Sequence, residues 1–142
     1  ELMTKETQGE ESETIKELML KNQDLEYKML LLETALDHTN IYYWIYNIED
    51  GSAMQSARVQ KELGVPDVMY NYPRSLFEAG LIDSNNYEAF AAMHDKVKAG
   101  AKEAEIIMAH PNGVFYRVRY TTIFDKQGKP IKAMGTAASI RL

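Results

Sequence analysis

The chain has 142 residues, 45% of them hydrophobic and 26% charged, with a formal net charge of −5 and no cysteine. That length is one domain's worth with room for a core, and an acidic balance argues against the basic patch of a nucleic-acid binder. Disulfides, thiolate nucleophiles and cysteine metal sites are excluded. No apolar run approaches the ~18–20 residues that cross a bilayer and no signal peptide is visible, so no membrane insertion is expected and a reducing, cytoplasmic setting fits.

Glu1 to Glu13 is acidic and polar, contains Gly9 and shows no periodicity, which predicts a frayed segment over 1–13. The pattern changes at Thr14. Ile15, Asn22, Met29 and Leu36 fall seven apart, and Leu18, Leu25 and Leu32 form the matching second series. This a/d heptad pattern predicts an amphipathic, coiled-coil-like helix over 14–39, with about three repeats spanning roughly 32 Å. Its narrow stripe favours a self-associating coiled coil; an amphipathic helix folded onto its own domain is the alternative. Asn22 at an a position would cost stability but fix register. Met19, Leu30 and Leu31 widen the stripe, so part of the helix would be free to cap the globular domain.

Asp37 to Asn40 ends the helix, and Ile41 to Ile48 reads as a strand with Trp44, Tyr46 and Ile48 on one face and Ile41, Tyr43 and Ile45 on the other. Two apolar faces predict a central strand whose back is covered. Glu49-Asp50-Gly51 is a hairpin turn into a short strand over 52–55. Ser56 is placed to cap a helix ending at Leu63-Gly64. A short helix follows around 74–78, and Asp83 or Ser84 caps a longer one running to about Ala99, with Tyr87, Phe90, Met93 and Val97 on its apolar face and His94 beside them. Ala104 to Ala109 is a third strand, turned by Pro111-Asn112-Gly113.

The last stretch alternates. Tyr116, Val118 and Tyr120 share one parity, while Arg117, Arg119 and Thr121 share the other. A Gly-Pro turn, Lys126 to Pro130, joins this strand to a final one ending at Ile140. The plan is α+β, with short helices on one face of an antiparallel sheet.

Pro111-Asn112-Gly113, the Tyr-Arg-Val-Arg strand, Ile123-Phe124-Asp125 with Gly128-Lys129-Pro130, and Gly135 resemble the C-terminal half (the PAC motif) of a PAS sensor domain. Ser56 and Leu63-Gly64 match the pattern upstream, so the resemblance covers roughly 40–140. It is nearest to the PAS domains that precede GGDEF diguanylate cyclase or EAL modules in bacterial signalling proteins. The resemblance implies a five-stranded sheet in the order 2-1-5-4-3 over residues 40–142. It also implies a covalently linked output domain acting in cyclic-di-GMP turnover, with a histidine kinase as the next choice, while the homodimer is expected from the heptad spacing of the N-terminal helix. Many members end in Asp-Ile-Thr, leading into the output helix. This chain has Ser139-Ile140-Arg141, which removes the usual aspartate from that junction.

Catalytic chemistry is not legible. His38, His94 and His110 are scattered without ligand spacing, the glycines stand singly, and no triad spacing is recognisable. No metal site and no enzyme activity are expected of this fragment. The LOV flavin mode needs a cysteine and is excluded. Haem is not expected, because the family's ligand position falls at Asn85-Asn86-Tyr87 and His94 comes about two turns later. What remains is a candidate pocket. The inner face used by PAS relatives would present Trp44, Tyr46, Ile106, Met108, Tyr116, Val118, Tyr120, Gly135 and Ala137, closed by Tyr87, Phe90 and His94. Aromatic walls with a few hydroxyls suit a small ligand, and equally a solid core. The seam Ile15, Leu18, Asn22, Leu25, Met29, Leu32 and Leu36 is the candidate dimer interface.

Overall fold

The computed structural model describes residues 2–110 and 113–140, with side chains from residue 12 onward. The turn expected at Pro111-Asn112 and the terminal Arg141 lie outside the described residues. The chain divides into two units, Glu1–Thr39 and Asn40–Leu142.

The first unit is one helix, α1 (Leu2–Asp37). It begins at Leu2 rather than Thr14, so the segment expected to fray is helical from residue 2. The residues there are mostly good helix formers without proline, and a helix already nucleated downstream propagates through a single glycine at a cost of about 1 kcal/mol. Thr39 closes the other end, with its N–H (3.0 Å) and hydroxyl (2.7 Å) both donating to the Leu36 carbonyl.

The second unit is an antiparallel sheet with three helices. Its elements are β1 (Ile41–Asn47), β2 (Ser52–Gln55), α2 (Ala57–Leu63), β3 (Val68–Met69), α3 (Arg74–Glu78), α4 (Ser84–Lys98), β4 (Glu103–Ala109), β5 (Phe115–Phe124) and β6 (Pro130–Ile140). The order is β3-β2-β1-β6-β5-β4. This contains the expected five-strand arrangement, corrected by a sixth strand at the β2 edge. Two residues beside Pro66 are too short to show a strand period.

Local chemistry sets the boundaries. The Ser56 hydroxyl accepts from the Val59 N–H, and Gly64 ends α2 in the left-handed region at φ 68°. The Asp83 carboxylate accepts from the Asn86 N–H at 2.9 Å to start α4. In the β5–β6 turn Asp125 accepts from the N–H groups of Gln127 and Lys129, both at 2.9 Å. The short helices hold the sheet's inner face, where α4 lies against β4, β5 and β6.

Register decides which side chains meet. Trp44 of β1 pairs with Gly135 of β6, Gly135 with Tyr120 of β5, and Tyr120 with Ala104 of β4. The flanking rows run Tyr42–Ala137–Val118–Ile106 and Tyr46–Ala133–Thr122. Along its inner face β6 thus carries Ala133, Gly135 and Ala137, a trough across which the aromatic side chains of β1 lie. A Cβ built on Gly135 would stand 2.4 Å from the Trp44 indole.

Gly135 is therefore required by the ring above it rather than by its own backbone. Replacing it with alanine should lower stability by about 1–3 kcal/mol, and leucine by more, as the indole is pushed off the sheet. Thermal unfolding followed by Trp44 fluorescence checks this; an unchanged midpoint for Gly135→Ala would show that the indole does not rest on the glycine.

Candidate functional site

The inner-face residues expected to line a pocket come together, but as packed side chains. Trp44, Tyr46, Phe90, His94, Val118 and Tyr120 are all buried, while Tyr87, Ile106, Met108, Tyr116 and Ala137 are half-buried against them. The rings meet mostly edge to face: Trp44 stands 5.9 Å from Tyr120, and His94 stands 4.7 Å from both Tyr46 and Phe90. Phe90 and His94 arrive four apart on α4, with Met93 and Val97 completing one buried stripe.

A hydrogen-bond chain runs through these rings. His94 Nδ1 is 2.7 Å from the Phe90 carbonyl oxygen, which can only accept, so Nδ1 carries the proton. Nε2 is then an acceptor, and the Tyr120 hydroxyl donates to it at 2.6 Å. The Trp44 Nε1–H donates in turn to the Tyr120 oxygen at 2.8 Å. Two of these bonds tie β1 to β5 and β5 to α4, the third lies within α4, and every participant is satisfied.

Electrostatics keep the chain neutral. Burial, the largest cause, together with Lys98 lowers the His94 pKa to about 4, against the Phe90 carbonyl and Asp95, which favour its charged form. Burial pushes the Tyr120 and Tyr72 hydroxyls above their ordinary range. Nε2 is also the atom an axial haem ligand would offer, and Tyr120 holds it.

Sequence reasoning missed part of this core. Tyr42 shares the parity of Trp44 and Tyr46, meets Tyr116 edge-on at 6.4 Å and lies under the Arg58 guanidinium at 4.7 Å. That alternation was readable. Met69 from the two-residue β3 and Val65, Tyr72 and Ile82 from irregular segments are buried and carry no period to announce them. An open groove of about 430 Å³ on β4–β5 is lined by the exposed Glu103, Glu105, Arg119 and Thr121 with Ala104 and Tyr120. There Glu105 accepts from Arg117 and Arg119, each at 2.9 Å. Among the described residues no group of His, Asp or Glu side chains is placed to hold a metal ion, and no helix is long and apolar enough to cross a membrane.

No protein-family model and no curated protein sequence matches the chain. Solved structures do. A sensory box histidine kinase/response regulator from Burkholderia thailandensis is 15% identical across 77% of this chain and 83% of that one, with a TM-score of 0.50. A sensory box sensor histidine kinase from Vibrio cholerae is 9% identical across 84% and 95%, with a TM-score of 0.55. The Rhodobacter sphaeroides LOV protein is 12% identical across 74% and 63%, with a TM-score of 0.52. At such identities the likeness is one of architecture: the second unit has the PAS fold.

Two outcomes follow from the hydrogen-bond chain. Tyr120→Phe leaves the Trp44 N–H and His94 Nε2 unpaired inside the core and should cost about 1–3 kcal/mol for each orphaned group; a denaturation midpoint equal to wild type would show that neither bond holds in solution. The second concerns acid. An unfolded histidine titrates near 6.5 and the folded one near 4, so the unfolded chain binds a proton that the folded chain refuses. Stability should be complete above about pH 6.5 and fall by roughly 3 kcal/mol as pH drops through 4. Urea denaturation at several pH values reads this directly, and a flat profile would contradict a neutral buried His94.

Proposed function

We propose that this chain is a PAS-type regulatory module of a bacterial multidomain signalling protein, passing a signal through a homodimer to a covalently linked output domain. It acts by binding and relay, with no catalysis of its own. The observation that carries this reading is the seam of α1. Within a single chain Ile15, Leu18, Leu25, Met29 and Leu32 are 54–65% exposed, and a long helix with such a stripe needs a partner to bury it. The heptad spacing makes a second copy in parallel the matching partner, and a two-fold pair would give both PAS units the same geometry. Leu20, Tyr27, Leu30 and Leu31 are exposed as well, so the apolar surface is wider than a strict a/d seam.

The output is read from two directions. The C-terminal motifs resemble PAS domains that precede cyclic-di-GMP enzymes, whereas the neighbours named above include sensors of histidine kinases. For the input, the half-buried Tyr87, Ile106, Met108, Tyr116 and Ala137 mark where a small ligand would approach the core. The closed packing of Trp44, Tyr46, Phe90, His94, Val118 and Tyr120 supports the second reading, a dimerisation scaffold without ligand.

Sedimentation velocity at tens of micromolar tests the dimer. The parent should sediment as a dimer and Leu25→Lys with Leu32→Lys as a monomer, because like charges then face each other across the seam, while Trp44 fluorescence reports an intact PAS unit. A monomeric parent would overturn the coiled coil. Native mass spectrometry of the same sample separates the two inputs: a retained small molecule favours the sensor, and the bare chain mass favours the scaffold.

A further inference from the structure

The flanks of the α1 seam carry a charge order that its apolar residues do not explain. Lys21 and Lys28 each precede a residue of the first heptad series, Asn22 and Met29. Glu26 and Glu33 each follow a leucine of the second series, Leu25 and Leu32. These are the g and e positions of the heptad, which border the buried strip and meet across it. All are exposed in the single chain. Lys28 is paired with Asp24 at 2.9 Å, one turn earlier and away from the seam. Among the described residues Lys21, Glu26 and Glu33 make no ion pair.

Orientation decides what those charges meet. In a parallel, in-register pair a g residue faces the e residue of the next heptad in the partner. Lys21 then faces the partner's Glu26 and Lys28 faces the partner's Glu33, and the two-fold axis repeats both contacts. In an antiparallel pair g faces g and e faces e, which sets lysine against lysine and glutamate against glutamate. Asn22, the polar residue of the seam, points the same way. In register it meets the partner's Asn22, and an amide can both donate and accept. Antiparallel packing would set it against a d position, where the leucines stand.

We propose that these flanks select a second copy of this chain: Lys21 with the partner's Glu26, and Lys28 with the partner's Glu33, fix a parallel, in-register pair. The inference rests on the dimer proposed above and adds what chooses its partner and direction. The opposite face of α1 offers no such choice. Leu20, Tyr27 and Leu31 line it and are 52–66% exposed. Glu17 and Asp24 border one side of that face and Gln23 and Leu30 the other, with no opposite charges to match.

A charge-exchanged variant tests the proposal. Lys21→Glu, Lys28→Glu, Glu26→Lys and Glu33→Lys together keep every attractive contact of a parallel pair. Between parent and variant, however, like charges meet in parallel and opposite charges meet in antiparallel. Native mass spectrometry of the full chain, with the parent labelled with nitrogen-15, counts the mixed dimers. Labelled and unlabelled parent should mix at random. Parent and variant should give less than about a tenth of the dimer as mixed species, because every flanking contact changes sign together. Random mixing of parent and variant would overturn the charge order while leaving the dimer, and an excess of mixed dimer would show antiparallel pairing. A monomeric parent would overturn the dimer and this inference with it. The exchange also sets Asp24 beside an acidic neighbour, which weakens the helix there, so Glu26→Lys with Glu33→Lys decides where the exchanged variant does not pair. That variant spares the Asp24–Lys28 pair and sets lysine against lysine at each contact. Its dissociation constant in sedimentation velocity should rise about tenfold or more, and a constant equal to the parent's overturns the proposal.

Discussion

The PAS unit depends on the absence of one side chain. Gly135 sits between Trp44 and Tyr120 in a single row across three strands, and only a residue without Cβ lets the indole lie flat enough to reach over it. Once there, the indole N–H meets the Tyr120 hydroxyl, and that hydroxyl reaches the helix through His94. Sheet and helix are thus joined by directional bonds as well as apolar contact. The distinction has an energetic meaning: apolar burial tolerates small shifts, whereas a buried donor that loses its acceptor pays the whole desolvation cost.

The same row explains why the inner face is closed. Aromatic residues from β1 lie over small residues of β6, and their far edges meet Phe90, His94 and Tyr72 from the helical side. A guest entering among these rings would have to move side chains that already fill the space, an overpacking cost of about 1–3 kcal/mol before any contact is gained. Opening is easiest at the end of the sheet bearing Tyr42, Tyr116 and Met108, where burial is already partial.

What could be read in the sequence was local. Ser56, Gly64 and Asp83 act on backbone groups within four residues, so their spacing alone foretold two helix starts and a helix end, and Gly128 and Pro130 foretold the hairpin turn that Asp125 closes. Strand alternation set Val118 and Tyr120 opposite Arg117 and Arg119, whereas Trp44 and Tyr46, on a strand apolar on both faces, were assigned to the inner face by the PAS resemblance. Gly135 falls inside a strand, where a glycine signals that some group needs its space. Which group it was depended on register, and register joins residues far apart: Trp44 and Tyr120 are 76 positions apart, Tyr120 and His94 are 26. No period encodes such a pairing. Short or irregular pieces were lost for the opposite reason, since β3 has two residues and Tyr72 lies in a loop. The start of α1 has no hydrophobic period to announce it, although Glu, Lys and Gln are good helix formers whatever their solubility.

His94 shows how one residue can be structurally ordinary and electrostatically constrained. By spacing it completes the α4 stripe as a leucine would. A leucine would, however, leave the Phe90 carbonyl to its helical role and Tyr120 without an acceptor, so the imidazole is present for its two nitrogens. The low pKa follows from the burial that makes those bonds strong, because the medium that strengthens a neutral hydrogen bond also penalises a charge. Stability at neutral pH and sensitivity to acid are therefore two expressions of one environment, and a substitution that relieved the second by exposing His94 would weaken the first.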